Sequence, residues 1–179
     1  MIHQMDWTSR TFSFDLPAGV FPAVLERVRG TPARAAALVA GVPEEVLGTR
    51  IRGGWSAKEH VGHLDDLHAL DERRLGEFLA RAEVLTAADM TNRRTEEARH
   101  NGTPTARLVE GFRARREALV LRLERLSEQE VEITSMHPRL RRPVRLIDWV
   151  YFVAEHDDHH LARAREALRA LSAGPGPPG

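Results

Sequence analysis

The chain has no cysteine. That absence excludes disulfides, thiolate metal sites and a cysteine nucleophile, and it fits a reducing compartment. Nor is there an excess of either charge. Lys plus Arg and Asp plus Glu are 26 each, so no polyanion is held by bulk charge. No stripe of basic and aromatic residues gives nucleic acid a footprint. No apolar run approaches the ~20 residues of a membrane span, and the opening MIHQMDWTSR lacks the shape of a signal peptide. A soluble, cytoplasmic protein is expected, with neither nucleic acid nor membrane as partner. Two further absences bear on the fold. No segment alternates convincingly at period two, which leaves no strand on which to build a sheet. No repeat or linker divides the 179 residues, a length that suits one domain able to bury about 70% of its unfolded surface.

What the chain does contain is helical periodicity. Residues 20–42 carry Leu25, Val28, Leu38 and Val39 among many alanines, interrupted at Gly30-Thr31-Pro32, where Thr31 reads as an N-cap before a proline at the first helical position. After the punctuation IRGGWS, Ser56 and Glu59 form a capping box with Trp55 as a staple. Val61, Leu64, Leu67, Leu70, Leu75, Phe78 and Leu79 then hold helical spacing to about Ala82. A polar stretch over 86–103 predicts a loop with a short helix. Thr103-Pro104 opens a helix carrying Leu108, Phe112, Leu119, Leu123 and Leu126, and 127–142 reads as a second polar connection. The last helix carries Leu146, Trp149, Val150, Val153, Leu161, Ala164, Leu168 and Leu171. Four amphipathic stripes are buried most simply by an all-α four-helix bundle in a single domain. The domain is expected to span 1–172, followed by a disordered Gly/Pro tail at 173–179.

Histidines on those stripes carry the functional signal. At 100° per residue, His156 and His160 lie within about 60° of Trp149 and Val153, so they continue the core-facing stripe of the last helix. One turn apart, their rings can converge on one point, the H-x-x-x-H geometry that helices use for metal ions. His63 likewise sits about 40° from Leu67 on the core face of its helix. Three neutral imidazoles meeting inside a bundle would be costly if unsatisfied. A divalent cation removes that cost, and three protein ligands leave positions open for water or substrate. The bland alternative is partly buried histidines satisfied by hydrogen bonds. Asp157 and His159 flank the stripe and are candidates for outer contacts or proton shuttling, with an ordinary helix-surface role as the alternative. Glu155 and Asp158 fall on the far side and read as solvated. His60 reads as capping-region polarity within conceivable reach of the pocket, and His68 as surface. His3, His100 and His137 lie in irregular text and receive no role. Trp149, Tyr151 and Phe152 read as packing, while Asn92, Arg93 and Arg94 are candidate substrate contacts.

GWSAKEHVGHL, a long gap and then DWVYFVAEHDDHH together resemble the DinB-like superfamily, including its thiol-transferase branch. The resemblance covers about residues 20–170 and is specific through Trp55, His63, Leu64, His156 and His160 taken together. It implies an up-down-down-up four-helix bundle and a divalent metal, often nickel or zinc, with His63, His156 and His160 on its three ligand positions. Histidine-only ligation suits iron as well. It also implies a transferase that joins a low-molecular-weight thiol to an electrophilic small molecule, and it is compatible with a homodimer. Such a metal can lower a thiol pKa so that a thiolate attacks an electrophile, or ionise water near pH 7 for ester or amide hydrolysis. A metal-dependent hydrolase is therefore one alternative. A metal-binding stress-response protein without turnover is a second, and a metal-free helical interaction module a third.

Overall fold

The computed structural model describes residues 2–173. The elements are α1 (Phe21–Val39), α2 (Glu44–Leu47), α3 (Ala57–Asp66), α4 (His68–Leu79), α5 (Arg93–Glu97), α6 (Thr105–Leu123), α7 (Glu128–Val131), β1 (Thr134–His137), β2 (Arg142–Arg145) and α8 (Leu146–Ser172). The expected Gly/Pro tail lies outside the described residues, Ala173 excepted. Among the described residues no helix is long and apolar enough to cross a membrane.

Four rods form the bundle: α1, the α3–α4 pair, α6 and α8. α1 and α3 each pack on both α6 and α8, so α1 and α3 face each other across a diagonal. The contacts also give the directions. Arg29 reaches Glu124, whereas Asp65 holds Arg115 and Glu72 holds Arg122. α6 therefore runs antiparallel to α1 and parallel to α3–α4. Val24 and Val28 of α1 share a cluster with Val150 and Val153 of α8, and Leu38 shares one with Leu161 and Ala164. α8 is thus parallel to α1, and the path is up-down-down-up.

Local chemistry explains most of the boundaries. Ser56 accepts from the Glu59 N–H, and the Glu59 carboxylate accepts from the Ser56 N–H, closing the capping box that starts α3. Asp148 accepts from the Arg145 N–H at the start of α8. Three departures from the sequence reading have physical causes. Gly30-Thr31-Pro32 does not interrupt α1. Thr31 and Pro32 are both buried, and the Thr31 hydroxyl donates to Asp157 at 2.8 Å instead of capping a new helix. The rod from Ser56 breaks at Leu67, so α4 is a separate helix. The connection at 127–142 contains α7 and part of an antiparallel hairpin, β1–β2, with Ser135 opposite Val144 and His137 opposite Arg142. Its inward positions on β1 are Ser135 and His137, so alternation existed there but polar residues carried it.

The core is divided. One apolar cluster holds Val24, Val28, Leu75, Phe78, Leu119 and Trp149. A second holds Ala35, Leu64, Leu108, Phe112, Leu161 and Ala164. Between them every rod places buried polar side chains: Thr31 on α1, His63 and Asp71 on α3–α4, Arg116 on α6, Asp157 and His160 on α8. This layer holds the candidate site.

Candidate metal centre

His63 comes from the last turn of α3, and His156 and His160 lie one turn apart on α8. Because α3 and α8 are antiparallel neighbours, the three rings meet. One ring nitrogen from each lies within 4.8 Å of the others. Ring centroids are 4.4 Å apart for His156–His160 and 4.5 Å for His63–His160. His160 Nε2 and His156 Nε2 stand 3.1 Å apart.

The outward nitrogens are tied to other groups. His63 Nδ1 lies 2.9 Å from Thr95 Oγ1, and that hydroxyl donates to Asp66 Oδ2, also at 2.9 Å. His100 Nε2 reaches the same Asp66 oxygen at 2.8 Å. His160 Nδ1 lies 3.0 Å from His60 Nδ1. With Nδ1 engaged, His63 turns Nε2 towards its two neighbours. Gly62 makes room for the arrangement: a Cβ there would stand 2.4 Å from the His100 ring, closer than carbon atoms approach.

Burial sets the charge state. It holds His63 down to about pKa 4 and His60 to about 3, with smaller repulsions from neighbouring histidines. His156 and His160 fall well below the ordinary value for the same reason, reinforced by the surrounding histidines. Burial pushes the Asp66 carboxyl up, but hydrogen bonds from His100 and Thr95, with Arg94 nearby, outweigh it and keep Asp66 below the ordinary range. The imidazoles are therefore neutral near pH 7. His156 Nε2 and His160 Nε2 share one proton at most, and the neutral rings keep lone pairs that a cation could take up. A divalent cation fits that donor set: it would take one lone pair from each ring, with Thr95 and His60 engaging the outer nitrogens of His63 and His160.

A cleft of about 440 Å³ opens on the three rings, with Trp7, Trp55, Leu67, Leu70 and Phe152 among its walls. Trp55 is not simply a helix staple. Its ring packs on His60, His63 and His160, and its Nε1–H donates to Glu96 at 2.6 Å. The segment before α1 contributes Trp7, whose ring packs on Phe152, His156 and His159.

The other candidates are distributed as follows. Asp157 is buried and accepts from Thr31 and from Arg116, which places it against α1 and α6. His159 has its ring 5.2 Å from that of His160, and its Nδ1 lies 2.9 Å from Gln4 Nε2. Glu155 and Asp158 are not simply solvated: Glu155 accepts from Arg10 and Arg27, Asp158 from Arg27 and Arg34. Asn92 lines the cleft and Arg94 pairs with Asp66 at 3.5 Å. Phe152 lines the cleft, whereas Trp149 belongs to the core. Sequence reasoning missed Asp66, Thr95 and His100, and left His60 undecided. Asp66 could have been found, because it follows His63 by three residues on the same helix. Thr95 and His100 lie in the polar connector, where no periodicity marks them.

A family model described as the DinB superfamily matches residues 27–164. No curated protein sequence matches. Among solved structures the chain is similar to YfiT from Bacillus subtilis, described as a probable metal-dependent hydrolase with an unusual four-helix bundle topology. The TM-score is 0.78 at 18% identity, covering 91% of this chain and 94% of that one. It is also similar to a mycothiol-dependent maleylpyruvate isomerase, with TM-score 0.64 at 14% identity, covering 85% of this chain and 62% of that one. At these identities the likeness speaks for the fold.

Proposed function

The chain belongs to the DinB superfamily, and from that premise we propose that it is a metal-dependent enzyme that joins a low-molecular-weight thiol to a small electrophile. His63, His156 and His160 hold the divalent cation, nickel or zinc, with iron compatible with the same ligands. One observation carries the reading: three neutral imidazoles from two antiparallel helices direct nitrogens at one another within 4.8 Å, at the inner wall of a cleft. The description of one structural relative as mycothiol-dependent supports a thiol as the nucleophile.

When bound, the cation supplies Lewis acidity that lowers the pKa of a ligand thiol or water. The chain's own residues do the rest. Thr95, braced by Asp66, orients His63, and His60 orients His160. Trp7, Trp55 and Phe152 give the cleft apolar walls beside the three imidazoles. A reducing cytoplasm, where small thiols are kept reduced, is the compartment in which this chemistry operates. A homodimer belongs to the same reading, and its sedimentation would test it.

The assay is direct. Protein loaded with nickel or zinc is mixed with a panel of small thiols and a generic electrophile such as monochlorobimane. Conjugation above the uncatalysed rate is expected with at least one thiol, and it should disappear on chelation. A second reading, hydrolysis of an ester or amide, is favoured by the description of YfiT as a probable metal-dependent hydrolase. Metal-dependent ester cleavage without thiol conjugation would replace the first reading by the second.

A further inference from the structure

The cleft is lined by side chains that carry buried donors without a partner among the described residues. Arg74 of α4 and Arg116 of α6 are each 4% exposed, and both line the cleft. Arg74 donates from Nε to the Thr86 carbonyl at 2.9 Å, but its buried Nη2 has no partner among the described residues. Arg116 donates from Nη2 to Asp157 at 3.0 Å, and its buried Nη1 has none. His137, 2% exposed, also lines the cleft. Its Nδ1 accepts from the Leu140 N–H at 3.3 Å, which leaves the ring proton on Nε2, and that atom is again without a partner. A buried donor left unmatched carries its full desolvation penalty, so such groups in a folded protein call for an explanation. Here the three side chains that carry them all line one cavity, and all three atoms are donors.

Charge points the same way. Arg74, Arg116, Arg139 and Arg163 line the cleft against Asp71, Asp89 and Asp157, leaving one cation in excess when all three carboxyls are ionised. Asp71 does not neutralise the arginines by direct pairing, since no hydrogen bond or ion pair joins it to either Arg74 or Arg116 among the described residues. The excess of one favours a monoanion, and the planar N–H edges of guanidinium groups match the lone pairs of a carboxylate. The charges of Arg116 and Arg139 act on the His156 imidazole, so these arginines and the histidines adjoin.

We propose that Arg74, Arg116 and His137 form a carboxylate-binding subsite, and that the substrate is a small carboxylate whose acidic group docks there while its reactive carbon lies beside the three imidazoles. The second half rests on the metal-dependent reading above. The subsite itself is measurable without any metal, and the two can therefore fail separately.

The test is calorimetric titration of the protein with phenylacetate and with its neutral analogue phenylacetamide, metal-loaded and after chelation. Phenylacetate should bind in both states, with the amide at least about tenfold weaker for want of charge-assisted hydrogen bonds. Arg74→Gln should weaken phenylacetate by about tenfold or more, with metal content unchanged, and Arg74→Lys should restore part of the loss. Equal binding of acid and amide, or binding of neither, overturns the subsite. Carboxylate binding that vanishes on chelation and ignores Arg74→Gln also overturns it, because the carboxylate is then a metal ligand. If Arg74→Gln does not fold, the acid–amide comparison on the unaltered protein decides alone. Carboxylate binding by a protein that takes up no metal would sustain the subsite and sink the metal reading.

Discussion

Along each rod of the bundle, apolar stretches and the polar layer between them obey opposite rules. In α8, Trp149, Val150 and Val153 belong to one cluster and Leu161 and Ala164 to the other, with His156, Asp157 and His160 between. In α6, Phe112 and Leu119 flank Arg116. In α1, Val28 and Ala35 flank Thr31. The apolar stretches stabilise by removing area from water and tolerate exchange of one hydrophobe for another of like volume. The layer does the reverse. Its charges and imidazoles are desolvated, and well-packed hydrophobic residues in their place often leave a fold equally or more stable. A bundle that buries Asp71, Arg74, Arg116 and Asp157 beside three facing histidines bears that cost, and on the proposed function it keeps them for what they bind.

If that division is right, substitutions in the two regions should have crossed effects. The largest is expected at the histidines: His156→Ala or His160→Ala should take metal content from stoichiometric to none, measured by elemental analysis after desalting. Thermal stability of the metal-free protein should fall less than on truncation in an apolar cluster, since relief of the ring's desolvation offsets part of the cavity that alanine leaves. Full metal retention in either variant refutes the ligand assignment. Phe112→Ala should do the opposite. It empties volume in a tightly packed cluster, where Phe112 is 1% exposed, and should cost about 3–5 kcal/mol by denaturant unfolding. Metal stoichiometry should survive wherever the variant is folded. A Phe112→Ala protein that is stable yet metal-free would show that cluster and layer are not separable.

Asp71 sharpens the comparison through pH. Burial, opposed by Arg116 and Arg74, pushes its carboxyl up to about 7 from the ordinary 3.8. A folded-state pKa above the unfolded one means that folding favours the protonated form. The stabilisation is complete below the unfolded pKa and is lost as pH rises through about 7. Asp71→Asn removes that dependence. The variant should gain on the parent by on the order of 2–4 kcal/mol between pH 5 and pH 8. Parallel stability curves for the two proteins would show that the arginines already neutralise Asp71 in the fold.

How much of this was legible follows the same division. Apolar periodicity located the four rods, and the H-x-x-x-H pair with His63 on a second stripe located the three imidazoles, because those signals are spacings along one helix. Arg116 was legible too and was overlooked: it continues the stripe Leu108, Phe112, Leu119, Leu123 at helical spacing. Other features lay beyond reach because they are made between segments. The hairpin turns polar residues inward. α1 continues through Pro32 because packing on both sides holds it. Thr95 and His100 are brought to Asp66 by a connector without periodicity.

The smallest effect, and the most discriminating, is expected at that connector. Thr95 is 3% exposed, and Thr95→Val preserves shape while deleting one hydroxyl. If His63 presents Nε2 to the cation, its Nδ1–H donates to Thr95, and Thr95 in turn donates to Asp66. Valine breaks both links, leaves the ring free to turn and strands a buried N–H. Metal affinity measured by chelator competition should fall by about tenfold, the low end for an outer partner of a histidine ligand. Unfolding free energy of the metal-free protein should fall by about 1–3 kcal/mol, since one broken link ends on the Asp66 carboxylate and a buried N–H is left unpaired. Affinity unchanged with stability lowered would make the Thr95–Asp66 pair a brace for the connector rather than for His63, and the polar layer would then divide into a binding half and a merely structural one.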